Sequence, residues 1–230
     1  MSWREEAKKR AATEAVKHVK DGFTLGLGSG STAAYAIKAI GRRIQREKLK
    51  ILGVPTSHQT QRLAEDSGIP LTTLKEHPEL DLTLDGADQI DKELNLIKGM
   101  GGALTREKIV ASATKEFVIV ADQTKLADRL GKNQQLPIEV LPFALPTVML
   151  KIQGIGGNPL LREMKDKTGP VLTDNGNFIV DADFGPIGSP EELNPQLISI
   201  PGVIETGLFI DMADVVYVGK PNGVGKLQRE

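Results

Sequence analysis

Four aspartates, three lysines, two glutamates and a glycine-rich loop fall within residues 81–108, which read DLTLDGADQIDKELNLIKGMGGALTREK. Carboxylates can remove protons or bind hydroxyl groups, and a lysine can stabilise negative charge. So many charged residues and glycines beside an apolar run are unsuited to a hydrophobic core. The segment is therefore the first candidate for a site.

Asp85 and Asp88 follow the apolar run Leu82–Leu84, and Asp81 and Asp91 flank them. One interpretation places Asp85 and Asp88 in a site just past the end of a strand. A second makes the aspartates turn residues and helix caps, which Asp commonly supplies. A third makes them Mg²⁺ ligands, although their spacing is not that of an EF-hand and these aspartates include no adjacent D-x-D pair.

Lys98 precedes a Gly-Met-Gly-Gly loop in which the backbone can approach a ligand closely, and Glu107 lies early in the helix predicted after that loop. Both side chains also have ordinary interpretations, as an exposed lysine and as a surface glutamate. The position of Glu107 favours a second role. A partly desolvated glutamate has a raised pKa and can serve as a general base near neutral pH.

A second glycine-rich loop, Gly-Leu-Gly-Ser-Gly-Ser-Thr at residues 26–32, joins an apolar strand to a predicted helix. Free N–H groups at a helix N-terminus attract anions, so a phosphate or carboxylate can dock there. The spacing is not that of a Walker A loop and is not a clean dinucleotide fingerprint. The alternative is a simple turn with Ser31 or Thr32 as the helix N-cap.

The composition excludes several kinds of site and partner. The 230 residues include no cysteine and three histidines, His18, His58 and His77, which are scattered along the chain. Disulfides, thiolate catalysis and Cys-type zinc sites are thereby excluded. The net charge of −1 and the lack of a long apolar segment predict a soluble, cytoplasmic protein with neither nucleic acid nor membrane as a partner.

Strand and helix patterns alternate along the first half of the chain, which predicts an α/β fold with a mostly parallel sheet flanked by helices. Helices are predicted from Trp3 to near Asp21-Gly22 and at Ala33–Ile44, Ser57–Asp66, Ala103–Ala113 and Pro146–Ile155. Strands are predicted at Phe23–Leu27, Lys50–Val54, Pro70–Leu74, Leu80–Leu84 and Phe117–Val120. Ligands of such sheets bind outside the carboxyl ends of the strands.

Prolines become frequent after about residue 131, and a smaller α+β domain is predicted at 131–205. Asn175-Gly176 predicts a hairpin with a type I′ turn within Gly169–Asp183. Gly207–Ile210 and Val215–Val218 are predicted to return as strands to the first domain. That domain, residues 1–130 and 206–230, is predicted to be catalytic.

The motifs above occur in the order and spacing of a known family. The chain resembles type A ribose-5-phosphate isomerases through GLGSGSTA, TSHQT, DLTLDGADQID, KGMGGALTREKIVA, VIVADQTKLADRLG, PIEVLP, TDNGN and IPGVIETGLF. The resemblance spans nearly the whole chain. It implies a Rossmann-like sheet, a ferredoxin-like second domain and a homodimer or homotetramer.

The resemblance also implies an activity and a set of site residues. The family interconverts ribose 5-phosphate and ribulose 5-phosphate, a step of the pentose phosphate pathway, without a metal or organic cofactor. By resemblance, Glu107 is the base, and Asp85, Asp88 and Lys98 complete the catalytic set. The substrate-binding residues implied are Ser29, Gly30, Ser31, Thr32, Asp85, Gly86, Ala87, Asp88, Lys98, Gly99, Met100, Gly101 and Lys125.

This chain departs from the family pattern at three positions. Ser29 stands where Thr is frequent, Met100 where Gly is frequent, and Gln89 where Glu is common. Ser29 keeps a hydroxyl, and Met100 still offers a backbone N–H. From the residues alone, a magnesium-dependent phosphatase and a non-catalytic sugar-phosphate sensor remain the rival functions.

Overall fold

The computed structural model describes residues 2–164 and 168–229. The helices there are α1 (Trp3–Ala15), α2 (Gly30–Glu47), α3 (His58–Asp66), α4 (Leu104–Ser112), α5 (Leu145–Gly154) and α6 (Pro190–Ile198). Short 3₁₀ helices cover Val16–His18, Gln123–Lys125 and Pro142–Ala144. The strands are β1 (Thr24–Leu27), β2 (Leu52–Pro55), β3 (Leu82–Gly86), β4 (Gln89–Ile90), β5 (Leu96–Ile97), β6 (Phe117–Asp122), β7 (Leu136–Val140), β8 (Asn158–Leu161), β9 (Phe178–Asp183), β10 (Val203–Thr206), β11 (Leu208–Phe209), β12 (Val215–Lys220) and β13 (Gly223–Gln228).

The chain forms two compact units. Unit 1 consists of Met1–Ala87, Arg106–Lys125 and Met212–Glu230, and unit 2 consists of Asp88–Thr105 and Leu126–Asp211. The division into a catalytic and a smaller domain stays a prediction. The units differ from it in that residues 88–105, 126–130 and 206–211 lie in unit 2.

Unit 1 contains a six-stranded sheet with the order β13-β12-β6-β3-β1-β2. Its neighbouring strands are parallel except for the antiparallel pair β12–β13. The prediction of a mostly parallel α/β sheet is therefore confirmed.

Apolar side chains of the sheet and its helices form a large core in unit 1. In α2, Ala33, Ala36, Ile37 and Ile40 recur at helical spacing and are buried. Helix α1 packs against β6 and β12. In addition, the Arg10 side chain of α1 donates to the carbonyl oxygens of Lys220 (2.6 Å) and Pro221 (2.8 Å), at the end of β12.

Unit 2 contains the sequence β7-α5-β8-β9-α6-β10, whose strands form an antiparallel sheet with the order β10-β7-β9-β8. This βαββαβ pattern is the ferredoxin-like arrangement, as predicted. A smaller antiparallel sheet of unit 2 has the order β11-β5-β4.

The two faces of β7 differ in chemistry. Ile138 and Val140 belong to an apolar cluster that also contains Val148 of α5 and Leu197 of α6. Because side chains alternate along a strand, the intervening Glu139 lies on the opposite face. That face of the antiparallel sheet supports segments of unit 2 described below.

Two predicted strands differ from the structure. The predicted strand Pro70–Leu74 is wrong, because Leu71 makes only an isolated parallel bridge with Gly53. The His77 N–H then donates to the Thr73 carbonyl oxygen and turns the chain. The predicted strand Gly207–Ile210 is shorter in the structure, where β11 (Leu208–Phe209) pairs with β5. Its return to the first domain stays a prediction, because β5 lies within the predicted domain 1–130 but in unit 2 of the structure.

The hairpin around Asn175-Gly176 forms, but its turn is not type I′. A type I′ turn requires positive φ at both central residues. Gly176 has φ of 79°, whereas Asn175 is not among the described residues with positive φ. The Gly176 N–H donates to the Thr173 carbonyl oxygen, which indicates a longer loop closed by a left-handed glycine.

Candidate active site

The order of strands in unit 1 reverses at β1, because β2 lies on one side of it and β3 on the other. Such a reversal is where open parallel sheets bind ligands, outside the carboxyl ends of the strands. The turn Ser29–Thr32 follows β1, and Asp85 lies near the end of β3. Unit 1 therefore brings the serine-glycine turn and Asp85 together at the reversal.

Asp85 anchors the turn that follows β1. Its side chain is buried, and its Oδ1 accepts from the N–H groups of Ser29 (3.1 Å) and Gly86 (2.7 Å). The N–H of Gly28 donates to the Leu84 carbonyl oxygen at 2.9 Å. A Cβ added at Gly28 would lie 2.1 Å from Asp85 Oδ1 and 2.6 Å from Asp85 Cα, so only glycine fits there.

The Ser29 hydroxyl is the centre of a group of hydroxyls. Its Oγ lies 2.8 Å from Thr56 Oγ1, 2.8 Å from Ser57 Oγ and 3.1 Å from Thr60 Oγ1. Ser29 is the N-cap of α2, yet its side chain makes no capping hydrogen bond. The alternative in which Ser31 or Thr32 is the N-cap is therefore wrong.

A lysine from another helix reaches the start of α2. Lys8 Nζ of α1 donates to Ser31 Oγ at 3.1 Å and to Glu5 Oε1 at 3.3 Å. The first turn of α2 thus combines the positive end of a helix dipole, serine and threonine hydroxyls and an ammonium group. This combination suits a phosphate.

Glu107 and Lys125 complete the predicted residues of unit 1. Glu107 lies in the first turn of α4 and is only 5% exposed, so it is not a surface glutamate. Lys125 is half-buried in the 3₁₀ turn after β6. Asp122 supports that turn by accepting from the N–H (2.9 Å) and the hydroxyl (2.5 Å) of Thr124.

Unit 2 brings Asp88 and the glycine loop together. The Met100 N–H donates to Asp88 Oδ2 at 3.0 Å, and the Asp88 N–H donates to the Ile97 carbonyl oxygen at 2.8 Å. Gly99 has φ of 101°, and a Cβ there would lie 2.9 Å from Leu104 Cβ. The loop is therefore tightly folded onto its own helix start, while Gly101 has open space around it.

Lys98 is buried, with 2% of its surface exposed, which excludes the interpretation as an exposed lysine. Its backbone N–H donates to the Gly207 carbonyl oxygen at 2.9 Å. Its Nζ lies 5.4 Å from the centre of the Phe209 ring, within the range of a cation–π interaction. A buried ammonium group of this kind can stabilise developing negative charge in a substrate.

Arg162 holds the same loop from the polar face of the antiparallel sheet. Its Nη1 donates to the carbonyl oxygens of Gly99 and Met100, both at 3.0 Å. Asp181 orients the guanidinium by accepting from both Nε (2.7 Å) and Nη2. The loop geometry therefore depends on a pair of residues more than 60 positions further along the chain.

The flanking aspartates have structural roles. Asp81 accepts from the Thr24 N–H and from Lys115 Nζ, both at 2.9 Å, and these bonds lower the pKa of its carboxyl group. Asp91 accepts from the N–H (2.8 Å) and side-chain amide (3.2 Å) of Asn95, while burial raises its pKa. Asp91 therefore closes a local turn, whereas Asp81 links β1 to Lys115 and is neither a helix cap nor a turn-closing residue.

A family model described as ribose 5-phosphate isomerase A (phosphoriboisomerase A) matches residues 52–223. The match covers well over half of the chain and includes most of the motifs named above. The chain belongs to the ribose 5-phosphate isomerase A family. The resemblance recognised in the sequence is thereby confirmed.

Relatives of this isomerase match it over nearly their whole length. The ribose-5-phosphate isomerase A of Methanosarcina acetivorans is 52% identical over 96% of this chain and 93% of its own. A solved structure of the Methanocaldococcus jannaschii isomerase has a TM-score of 0.94 at 44% identity, covering 97% of this chain and 99% of that one. A D-ribose-5-phosphate isomerase in complex with phospho-erythronic acid has a TM-score of 0.96 at 45% identity, with full coverage of both chains.

Sequence reasoning about this isomerase missed Lys8 and Arg162. Lys8 has the spacing of an ordinary helix-surface lysine, and its contact with Ser31 spans 23 residues. Arg162 is a single arginine after a short strand, and its carbonyl partners lie 62 and 63 residues away. Neither position carries a local signal that distinguishes it from a solvated side chain.

The isomerase structure also bears on metal sites and membrane spans. Among residues 2–164 and 168–229, no cluster of three or more His, Cys, Asp or Glu side chains could hold a metal ion. Over the same residues, no helix has the length and apolar character needed to cross a bilayer.

Replacement of Asp81 by Asn tests its structural role in the isomerase. We expect the free energy of unfolding to fall by about 1 kcal/mol at pH 7, because an exchange of charge for a neutral amide weakens the bond to Lys115. The pKa of Asp81 is lowered in the folded state, so its contribution is present above the ordinary Asp pKa and is lost as pH falls through the folded-state pKa. Urea unfolding at several pH values measures this. A difference between wild type and variant that persists at low pH would contradict the prediction.

Proposed function

We propose that this chain interconverts D-ribose 5-phosphate and D-ribulose 5-phosphate by proton transfer through a cis-enediolate, as a step of the non-oxidative pentose phosphate pathway. The observation that carries the proposal is the burial of Glu107 in the first turn of α4, in a member of this isomerase family. A carboxylate that is buried at the start of a helix is not an ordinary surface side chain, and it is a good candidate for a general base.

Glu107 is the base in this proposal. Its carboxylate removes the proton from C2 of the open-chain aldose, the electron pair forms the C1–C2 double bond, and the C1 oxygen takes the negative charge. Return of the proton to C1, with transfer of the O2 proton to O1, gives the ketose. No atom or electron is gained or lost overall, so the reaction consumes no external oxidant or reductant.

The remaining residues bind and polarise the substrate. Lys98 stabilises the enediolate charge, and Asp85 and Asp88 position hydroxyl groups and assist ring opening. The phosphate is assigned to the first turn of α2, where Lys8 reaches Ser31. The substrate-contacting set further comprises Ser29, Gly30, Thr32, Gly86, Ala87, Gly99, Met100, Gly101 and Lys125.

The proposed function also includes the cellular location and the oligomeric state of the enzyme. We infer a cytoplasmic enzyme that acts on a small-molecule sugar phosphate and associates as a homodimer or homotetramer. Large apolar side chains that remain exposed in unit 2, including Phe143 at 93% and Leu150 at 68%, support an association surface there. Light scattering of the purified protein tests the assembly.

One assay tests the proposed reaction. The purified chain, incubated with ribose 5-phosphate and excess EDTA, is expected to form ribulose 5-phosphate and to incorporate solvent deuterium into the sugar in D₂O. Release of inorganic phosphate that depends on added Mg²⁺ would instead show a phosphatase. Binding of the sugar phosphate with neither ketose nor deuterium would show a sensor.

A further inference from the structure

Glu139 is a fully buried carboxylate in the middle of β7 that the proposed reaction does not use. Its two oxygens serve different segments of unit 2. Oε1 accepts from Thr173 Oγ1 (2.9 Å), Asn175 Nδ2 (3.1 Å) and Asn177 Nδ2 (2.8 Å) of the hairpin. Oε2 accepts from the hydroxyl of Thr105, in the first turn of α4.

A buried carboxylate is costly unless its oxygens are well hydrogen-bonded, and Glu139 meets that condition through four side-chain donors. The hairpin already closes through its own backbone, since the Thr173 N–H donates to Asn177 and the Gly176 N–H donates to Thr173. The apolar side of β7 forms the core with α5 and α6. The bond from Thr105 to Glu139 is therefore needed neither to close the hairpin nor to form the apolar core.

We propose that Glu139 is a positioning residue for the isomerisation, acting through Thr105 on the direction of Glu107. This inference rests on the proposed function, in which Glu107 is the base. Successive residues of an α-helix are rotated by about 100°, so Thr105 and Glu107 point to roughly opposite sides of the first turn. The bond between Thr105 and Glu139 therefore fixes the rotation of the first turn of α4 about the helix axis. That rotation sets the direction of the Glu107 side chain, on the side of the helix opposite Thr105.

The expected cost of losing this bond follows from the geometry of proton transfer. A displacement of about 1 Å at a reacting group can lower a rate about 10²-fold without weakening binding. Fixation of the first turn of α4 acts on the base and not on the phosphate site at α2. The rate constant kcat should therefore fall while KM stays nearly constant.

Thr105→Val tests the inference, because valine keeps the shape of threonine and removes the hydroxyl. We expect kcat for ribose 5-phosphate to fall about 10- to 100-fold with KM within about twofold of wild type. Thr105→Ser, which restores the hydroxyl, should recover most of kcat. The matched control is Asn177→Ala, which removes a donor to the hairpin side of Glu139 and should leave kcat near wild type.

The outcomes separate positioning from plain structural support. Unchanged kcat in folded Thr105→Val, or an equal loss of kcat in Asn177→Ala, would overturn the inference. Should Thr105→Val fail to fold, Thr105→Ala, which also removes the hydroxyl, provides the same comparison of kcat and KM. If Glu107→Gln retains turnover, the proposed function itself fails, whereas an inactive Glu107→Gln beside a fully active Thr105→Val rejects only the role of Glu139.

Discussion

Replacement of Glu107 by Gln is expected to lower kcat for ribose 5-phosphate about 10²- to 10⁴-fold, which is the contribution of a well-placed general base. Glutamine has the same shape but cannot accept a proton at neutral pH. Because Glu107 is buried, a substitution of similar size should keep the packing of α4. KM should change little, since the phosphate is assigned to α2. Steady-state kinetics and deuterium incorporation measure both effects.

The control for this variant is Glu192→Gln, an exposed glutamate in the first turn of α6. It removes the same charge from the chain, and its kcat should equal that of wild type. Turnover of Glu107→Gln within about twofold of wild type would remove Glu107 from the role of base. A loss in both variants would point to an effect of net charge and not of proton transfer.

Replacement of Gly28 by Ala is expected to destabilise the isomerase by about 3 kcal/mol, the upper part of the usual range for overpacking. The added methyl group would overlap Asp85, with its backbone Cα only 2.6 Å away, so rotation of a side chain cannot relieve the contact. The Asp85 bonds to Ser29 and Gly86 should break in consequence. Thermal unfolding measures the first effect, and the kcat of the surviving folded fraction measures the second.

Gly188→Ala is the matched control, because a Cβ there meets no heavy atom within 4 Å and its φ is not positive. Its stability should stay within about 0.5 kcal/mol of wild type, as for other surface substitutions. Equal stability of Gly28→Ala and Gly188→Ala would mean that β1 and β3 can separate without cost. In that case the close approach of Gly28 and Asp85 would not be a constraint on the site.

The parallel sheet and its main helices could be predicted because their apolar residues recur over long stretches. In α2 the buried positions follow the helical period over two turns, and β6 begins with a continuous apolar run of five residues, FVIVA. Strands β4, β5 and β11 contain two residues each, which is too short for any period to show. The segment at Pro70 has strand-like composition, but proline has no N–H to donate to a ladder.

For the candidate site, the sequence identified residues but not their partners. Asp85 and Asp81 both border the same apolar run, and the sequence cannot show that one holds the turn at Ser29 while the other binds Lys115. The partners of Lys8, Arg162 and Glu139 lie on distant segments. Such contacts depend on tertiary folding, which local patterns do not encode.

The packing of α1 on β12 affects the order in which the chain can fold during its synthesis. Arg10 and its carbonyl partner on Lys220 are 210 residues apart, so α1 leaves the ribosome long before the strand that covers it. Until Val215–Lys220 is synthesised, β6 has an unpaired edge, and such edges promote association between chains. All four strands of the antiparallel sheet, in contrast, lie within Leu126–Asp211. During synthesis, the antiparallel sheet can therefore form before β12 and β13, the last strands of the parallel sheet, have been made.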